Sequence, residues 1–381
     1  MSKGIHIVSF DNPVPPEYGG IIDVYFKCKV LKQAGWYIIL HVWEYGRHHD
    51  PRISEIADEV YYYKRRKYIY GILGFHPYII RSRTSGELKK RLIKEEYPIL
   101  FEGIHTIHPL LPSGIPNRLT LVRTHNIEHR YYRGLMISSK KWWHRLFFRK
   151  EAWLLEQEEF NLVLADGLLA ISRTDEKYFS TWHPQVYFLP PFHPFQYRPP
   201  LSGKGTCILY QGNLSVPEND FAAMFLVENV FAQLPEFPCV IAGSGPSRKL
   251  KKRILKYPHI RLVESPEDHE MQHWVNQAHI QLLVTFQSTG MKLKLLHALH
   301  EGRFVICNPM MTAGTGLEEL VIHAETAHDM IKACRKVLDE LWQPQKEREV
   351  CLSEHFSNLN SLQILENILT GIKSSRHLPE D

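Results

Sequence analysis

The stretch T-G-M-K-L-K-L-L-H-A-L-H-E-G-R-F-V-I, Thr289 to Ile306, decides how the rest of this chain is read. A glycine turn opens a short helix with Lys292 in its first turn. A second glycine closes it, and an apolar run follows that reads as a strand. A turn of this kind presents backbone N–H groups and one cation to a phosphate. A cation near a helix N-terminus is unfavourable by itself, so its placement there points to a bound anion.

Working outward, the same alternation fills the chain. Residues 4–10 (G-I-H-I-V-S-F) read as a buried first strand, followed by a loop and a helix over Ile21–Gln33. Tyr37–Trp43, Val60–Tyr63, Ile99–Phe101, Leu119–Arg123 and Leu168–Ile171 read as strands, with helical patterns at 84–96, 139–163 and 173–181. Strands alternating with helices specify a parallel, doubly wound sheet. A proline-rich stretch, Leu189–Gly205, reads as an interdomain connector. The alternation then restarts, with strands at Cys207–Gln211, Cys239–Ala242, Ile260–Val263 and Ile280–Val284 and helices at 218–232, 246–256, 325–343 and 355–373. The expected fold class is α/β, two Rossmann-like domains in tandem. In such sheets ligands bind at the carboxyl ends of the strands.

Composition narrows the class. The chain has 381 residues, 44% apolar and 23% charged, long enough for two full cores. Its formal charge of +5 is uneven: residues 1–195 carry 27 Lys and Arg against 20 Asp and Glu. A basic first half suits an anionic partner there. The six cysteines are scattered without metal-ligand spacing, as expected for buried thiols in a reducing compartment. No metal site is expected, and no cofactor. The first residues are too short for a signal-peptide core, and no run of 18 apolar residues exists to span a membrane.

Several loops carry possible chemistry. Gly19 and Gly20 sit between the first strand and first helix and let a backbone approach a ligand closely. They do not form a G-x-G-x-x-G fingerprint, which argues against NAD or FAD. Gly212-Asn213, Gly243-Ser244-Gly245 and Thr289-Gly290-Met291-Lys292 are small-residue loops after successive strands, and together they suggest a phosphate or nucleotide pocket. His125 follows a strand in H-N-I-E-H and is placed to bond a sugar hydroxyl or move a proton. Glu102 and His105 occupy the same kind of position one strand earlier, and Asn126 and Glu128 share the His125 loop. These four are candidate acceptor contacts.

Two basic-aromatic segments suit an anionic membrane surface, Tyr61–Phe75 with Lys64, Arg65, Arg66 and Lys67, and Lys140–Lys150 with Lys141, Trp142, Trp143 and Phe147. In the second, Trp143, Leu146, Phe147 and Lys150 fall at helical spacing as a candidate lipid face. Packing of that face on the sheet, or on another chain, is the alternative. Nucleic acid is not an expected partner, because no recognition motif accompanies the charge.

The chain resembles the GT-B glycosyltransferases, most closely the family 4 (group 1) type. The resemblance rests on P-x-E-Y-G-G (Pro15–Gly20), T-H-N-I-E-H-R-Y-Y-R-G-L (Thr124–Leu135), A-I-S-R-T-D (Ala170–Asp175), Y-Q-G-N-L-S-V-P-E-N (Tyr210–Asn219), A-G-S-G-P (Ala242–Pro246) and G-M-K-L-K-L-L (Gly290–Leu296). It implies an acceptor domain over 1–195, a nucleotide-sugar donor domain over 196–354, and a helix in 355–381 crossing back to the first domain. It also implies transfer with retention, without a metal, to a glycan or lipid-linked acceptor. Polysaccharide or glycolipid synthesis at the cytoplasmic face of a membrane would be its setting. Gly19 and Gly20 would lie by the donor diphosphate and His125 by the donor sugar. Lys292 and the N–H groups near Gly290–Leu293 would meet the phosphates, and Ser265 and Pro266 would border the base. The chain departs from the family pattern at Asn213 and Asn219, where Arg and Lys are usual. Thr289 and His297 stand where the family usually has Glu. A non-catalytic nucleotide- or sugar-binding partner, and a nucleotide-sugar epimerase, are the alternatives those departures leave open.

Overall fold

A computed structural model describes residues 3–66, 74–139, 141–200, 202–287 and 290–371. It divides into two compact units. One comprises Met1–Pro194, Thr289–Met291 and His355–Asp381, and the other Phe195–Ser288 and Lys292–Glu354.

The first unit contains β1 (Gly4–Ser9), α1 (Gly19–Gln33), β2 (Tyr37–Glu44), β3 (Glu59–Lys64), α2 (Tyr78–Arg81), α3 (Gly86–Leu92), β4 (Ile99–Glu102), β5 (Thr120–Thr124), α4 (Glu128–Ser138), α5 (Trp142–Glu158), β6 (Gly167–Ala170), α6 (Arg173–Phe179) and β7 (Val186–Phe188). The second contains β8 (Cys207–Gln211), α7 (Pro217–Asn229), β9 (Cys239–Gly243), α8 (Arg248–Ile254), β10 (Ile260–Glu264), α9 (Asp268–Gln277), β11 (Ala278–Leu283), α10 (Leu293–Glu301), β12 (Phe304–Cys307), α11 (Pro309–Thr312), β13 (Ile322–His323), α12 (Ala327–Leu338) and α13 (Lys346–His355). The last helix, α14 (Asn358–Gly371), packs in the first unit against α1.

Each unit is built on a parallel sheet. The strand orders are β3-β2-β1-β4-β5-β6-β7 and β10-β9-β8-β11-β12-β13. Both sheets reverse direction beside their first strand, between β1 and β4 and between β8 and β11. The carboxyl ends at those points are the ligand-binding positions of doubly wound folds. Parallel strands covered on both faces are mostly apolar, and β1, β4, β5, β8 and β9 are buried along their whole length, with buried polar exceptions such as His6, Glu102, Arg123 and Gln211. Two clusters fill the two faces of the first sheet, one beneath α1 and α14 and one around Trp43, Phe101 and Leu155.

Local structure departs from the sequence reading in four places. Helix α1 begins at Gly19 itself, so the glycine pair forms its first turn and not a loop before it. The expected helix over 139–163 is α5 over a shorter span, and it packs against α4, an arm the sequence reading did not include; Gly134 and the charged, aromatic composition of 128–138 mask the periodicity of that arm. Helix α13 was not expected, and the helix expected from 355 begins at Asn358, just after Ser357, whose Oγ accepts from Asn360 N at 3.2 Å. The proline-rich connector is not a loose tether. Leu189 and Phe192 are fully buried in the first unit, and His193 bonds Phe356 O through Nε2 at 2.7 Å. In the second unit Arg198 N donates to His300 O at 3.1 Å.

Helix α10 ends on Gly302, and one buried side chain closes it. Arg348 donates to the carbonyls of Ala298, Leu299, Gly302 and Arg303 at 2.6–2.9 Å. Ala298 O also accepts from Gly302 N at 2.9 Å, and the guanidinium satisfies carbonyls at and just beyond the helix end that would otherwise be short of partners in the core. Replacing Arg348 by Met should therefore lower the unfolding free energy by about 3 kcal/mol or more. Chemical denaturation measures this; a loss under 1 kcal/mol would mean that water takes the place of the guanidinium.

Candidate active site

In the first unit the site grows from charges that α1 carries inward. Asp23 and Lys27 stand one turn apart on its buried face, among Ile21, Val24, Cys28 and Leu31. Both are fully buried, as are Glu102 at the end of β4 and Arg123 in β5. Lys27 Nζ lies 3.2 Å from Asp23 Oδ2 and 2.7 Å from Glu102 Oε1. Arg123 Nε donates to Asp23 Oδ2 at 2.9 Å, and Phe192 N to Asp23 Oδ1 at 2.7 Å. Burial would raise both carboxyls, but Arg123 and Lys27 outweigh it at Asp23, and Lys27 with the His125 hydrogen bond outweighs it at Glu102. Both stay ionised.

This cluster sets the state of His125. Its Nε2 lies 3.0 Å from Glu102 Oε2. An ionised carboxylate only accepts, so Nε2 carries the proton. Nδ1 is buried and has no hydrogen-bond partner among the described residues. It lies 3.9 Å from Asp23 Oδ2 and faces Gly20, where an added Cβ would sit 3.8 Å away. The same Cβ would meet the Phe10 ring at 2.9 Å, so glycine is required there. Phe10 stacks on His105 at 5.3 Å and meets His125 edge-on at 5.4 Å. The arrangement presents a bare imidazole nitrogen beside the first turn of α1, suited to a hydroxyl donor. Asp23, Glu102 and His125 are close enough to hold an ion. Lys27 and Arg123 already take the carboxylate oxygens a metal would need, so the donor set fits one poorly.

The other predicted acceptor contacts face inward. Half-buried His105 is held neutral by burial and by nearby Arg83. Glu128 opens α4 and is 5% exposed. It lines a cavity of about 10 Å³ with Asn126, His125 and Glu159, room for one water. Burial, with Glu159 and Asp175 nearby, pushes its carboxyl up to about 8.

In the second unit the loops after β8 and β9 interlock. An added Cβ at Gly243 would lie 1.8 Å from Gly212 O, and one at Gly245 would lie 2.8 Å from Ser215 Cβ. Gly212 N donates to Ala242 O at 3.1 Å, and Ser265 N to Gly243 O at 3.1 Å. Ser265 has φ +53, and Pro266 follows it in the loop after β10. Asn213 and Asn219 are joined, Asn219 Nδ2 donating to Asn213 O at 2.9 Å.

A second cation joins Lys292 at this end. Lys292 is the N-cap of α10, and Leu293 is its first residue. Lys294 turns toward the β8 loop. Its Nζ donates to Asn219 Oδ1 at 2.9 Å and to Tyr210 Oη at 3.3 Å. Burial, with Lys292 adding to it and Glu218 opposing, pushes its ammonium down to about 8. Glu218 itself accepts from Thr285 Oγ1. Lys294 was missed because K-L-K-L gives no periodicity that separates the two lysines. Asp23 and Lys27 were missed too, although a charged i,i+4 pair on an otherwise apolar face was a visible signal.

His297 is half-buried in α10. Its ring stacks on Phe195 at 4.5 Å and 6°, and Nδ1 donates to Gln211 Oε1 at 3.0 Å. Gly290 (φ +69) and Met291 group with the first unit. An added Cβ at Gly290 would lie 2.6 Å from Asn126 Oδ1. Thr289 lies outside the described residues.

Residues 205–340 match the sequence model of the family described as Glycosyl transferases group 1. A Klebsiella pneumoniae protein described as "Uncharacterized 44.6 kDa protein in cps region" is 28% identical over 345 residues, covering 84% of this chain and 87% of that protein. A mutant of S. aureus TarM, solved with Fondaparinux, alpha-GlcNAc-glycerol and UDP, superposes with a TM-score of 0.66 at 10% identity, over 97% of this chain and 100% of that one. The lipopolysaccharide outer core galactosyltransferase WaaB gives 0.60 at 11% identity, over 97% and 100%. The solved structures carry the fold, which is that of GT-B glycosyltransferases, and the match to the group 1 family lies within 205–340, almost wholly in the second unit.

Two measurements test the first-unit site. Imidazole ¹⁵N shifts of His125 should show a protonated Nε2 and a bare Nδ1, and Glu102→Gln should mix the tautomers; the reverse tautomer in the unmutated chain would refute the assignment. Glu128 titrates near 8 when folded against 4.5 unfolded, so keeping it un-ionised costs stability that grows between those pH values. Glu128→Gln should gain stability over the parent from pH 5 to pH 8, by about 1.4 kcal/mol per pH unit at most. A gain that does not change with pH would contradict this.

Proposed function

We propose that this chain transfers a sugar from a nucleoside-diphosphate-sugar donor to a hydroxyl of a glycan or glycolipid acceptor in polysaccharide synthesis. One observation carries the reading. Lys294, half-buried in the first turn of α10, is held by Asn219 and Tyr210 beside the interlocked glycine loops. No acidic residue offsets it in that turn. A diphosphate accounts for this placement, because it supplies the negative charge that a helix N-terminus and a buried ammonium both need.

In this reading Lys294 and the N–H groups of α10 stabilise charge as it builds on the departing diphosphate. The bond between the anomeric carbon and the diphosphate oxygen breaks, and its electron pair leaves with the phosphate. The acceptor hydroxyl oxygen takes the anomeric carbon, and its proton passes to a phosphate oxygen. His125 Nδ1, in the first unit, is suited to accept from a sugar hydroxyl. Retention and independence of metal belong to the same proposal, with Lys294 providing the charge a metal would otherwise supply. The setting is supported by the cps-region relative, and the donor class by the TarM structure solved with UDP.

A second reading, binding without transfer, draws on His297, whose ring is closed against Phe195 where the family pattern has a carboxylate. The donor test separates the readings. Lys294→Met should weaken nucleoside diphosphate binding at least tenfold by calorimetry while leaving the fold intact. Affinity in the parent should fall above about pH 8 as Lys294 loses its proton. Unchanged affinity in the variant would remove Lys294 from the site. Binding without release of nucleoside diphosphate to any acceptor would favour the second reading.

A further inference from the structure

The outer face of α5 is not built for water. Trp142, Leu146, Arg149 and Trp153 are spaced by four, three and four residues and so form one stripe along the helix. Trp142 is 67%, Leu146 55% and Trp153 59% exposed, and neighbouring Trp143 is 50% exposed. The opposite face is the packed one, with Glu151, Ala152, Leu154, Leu155 and Glu158 buried. Tyr78 N donates to Glu151 Oε2 at 2.8 Å, which fixes the rotation of the helix. This corrects the face expected from sequence. Phe147 and Lys150 are half-buried, and Trp142 and Trp153 take their place outside. Of the other expected segment, Arg65 stacks on Tyr45 and Tyr78 and donates to Ser82 Oγ, while Lys64 and Arg66 lie at the surface or near it. Lys67 and Lys140 lie outside the described residues.

Charge selects the occupant. Lys141, Arg145 and Arg149 are exposed around the stripe. The acidic residues of the helix are turned away or paired: Glu151 and Glu158 are buried, and Glu156 meets Arg133 at 2.7 Å. A second copy of this chain docked on the same face would oppose cations to cations. Among the described residues no helix is long and apolar enough to cross a membrane. We infer that the outer face of α5 seats the chain on an anionic bilayer. Trp142, Leu146 and Trp153 enter the boundary between headgroups and acyl chains, and Lys141, Arg145 and Arg149 meet lipid phosphates.

Sedimentation of the full chain with vesicles tests this. Phosphatidylcholine vesicles containing about 30% phosphatidylglycerol should bind the chain, and pure phosphatidylcholine should bind it much less. Raising the salt should release it. The exposed double variant Trp142→Ala/Trp153→Ala should keep its melting temperature and its nucleotide affinity while losing about tenfold in vesicle partitioning. Arg145→Gln/Arg149→Gln should abolish the preference for the anionic lipid. Equal binding of the parent to both vesicle types would overturn the inference, as would undiminished binding of the tryptophan variant. A shift in oligomeric state on losing the tryptophans, without lipid, would assign the face to protein and overturn it too. None of these outcomes depends on whether the chain binds a nucleotide.

Discussion

Four fully buried charges hold the first unit together. Taking Asp23, Lys27, Glu102 and Arg123 out of water is tolerable only because each has opposite charges or backbone donors in contact. The arrangement ties α1 to β4 and β5. Through Phe192 N and Leu189 O it also ties the start of the connector. Removing one member would leave its partners charged and unpaired in the core, a cost of about 3–5 kcal/mol. Hydrophobic residues of similar size would serve stability as well. The retained cluster instead fixes an ionised Glu102, a protonated His125 Nε2 and a bare Nδ1 facing the turn at Gly20.

The second unit solves a related problem with a single cation. Asn213 and Asn219 bond to each other where the family pattern places Arg and Lys. Positive charge returns to the same place from another element, because Lys294 Nζ reaches Asn219 Oδ1 from α10. Under the proposed function, Lys294 offers a phosphate the charge that those two positions lack. Arg348 then closes the far end of α10.

Much of this was legible in the sequence, for identifiable reasons. Buried parallel strands leave short, largely apolar runs, so β1, β4, β5, β8 and β9 stood out. Glycine loops after strands and H-N-I-E-H marked the carboxyl ends of the strands, where the candidate site residues lie. What stayed hidden depends on rotation and contact. Lys292 and Lys294 differ by two residues, and only the start of α10 at Leu293 decides which of them turns toward Asn219. Which face of α5 lies outside was equally undetermined, because its tryptophans, phenylalanines and leucines surround the helix. The bond from Tyr78 to Glu151 settles it. The partners of Asp23 and Lys27 were hidden as well, because Glu102 and Arg123 come to them from 75 to 100 residues away.

The central claim is that a nucleoside diphosphate-sugar is bound through Lys294. Calorimetric titration of the unmutated chain with UDP-, GDP- and ADP-sugars tests it most directly. The account predicts saturable one-site binding of one nucleotide family, with the other two much weaker. No binding by any of the three would contradict it.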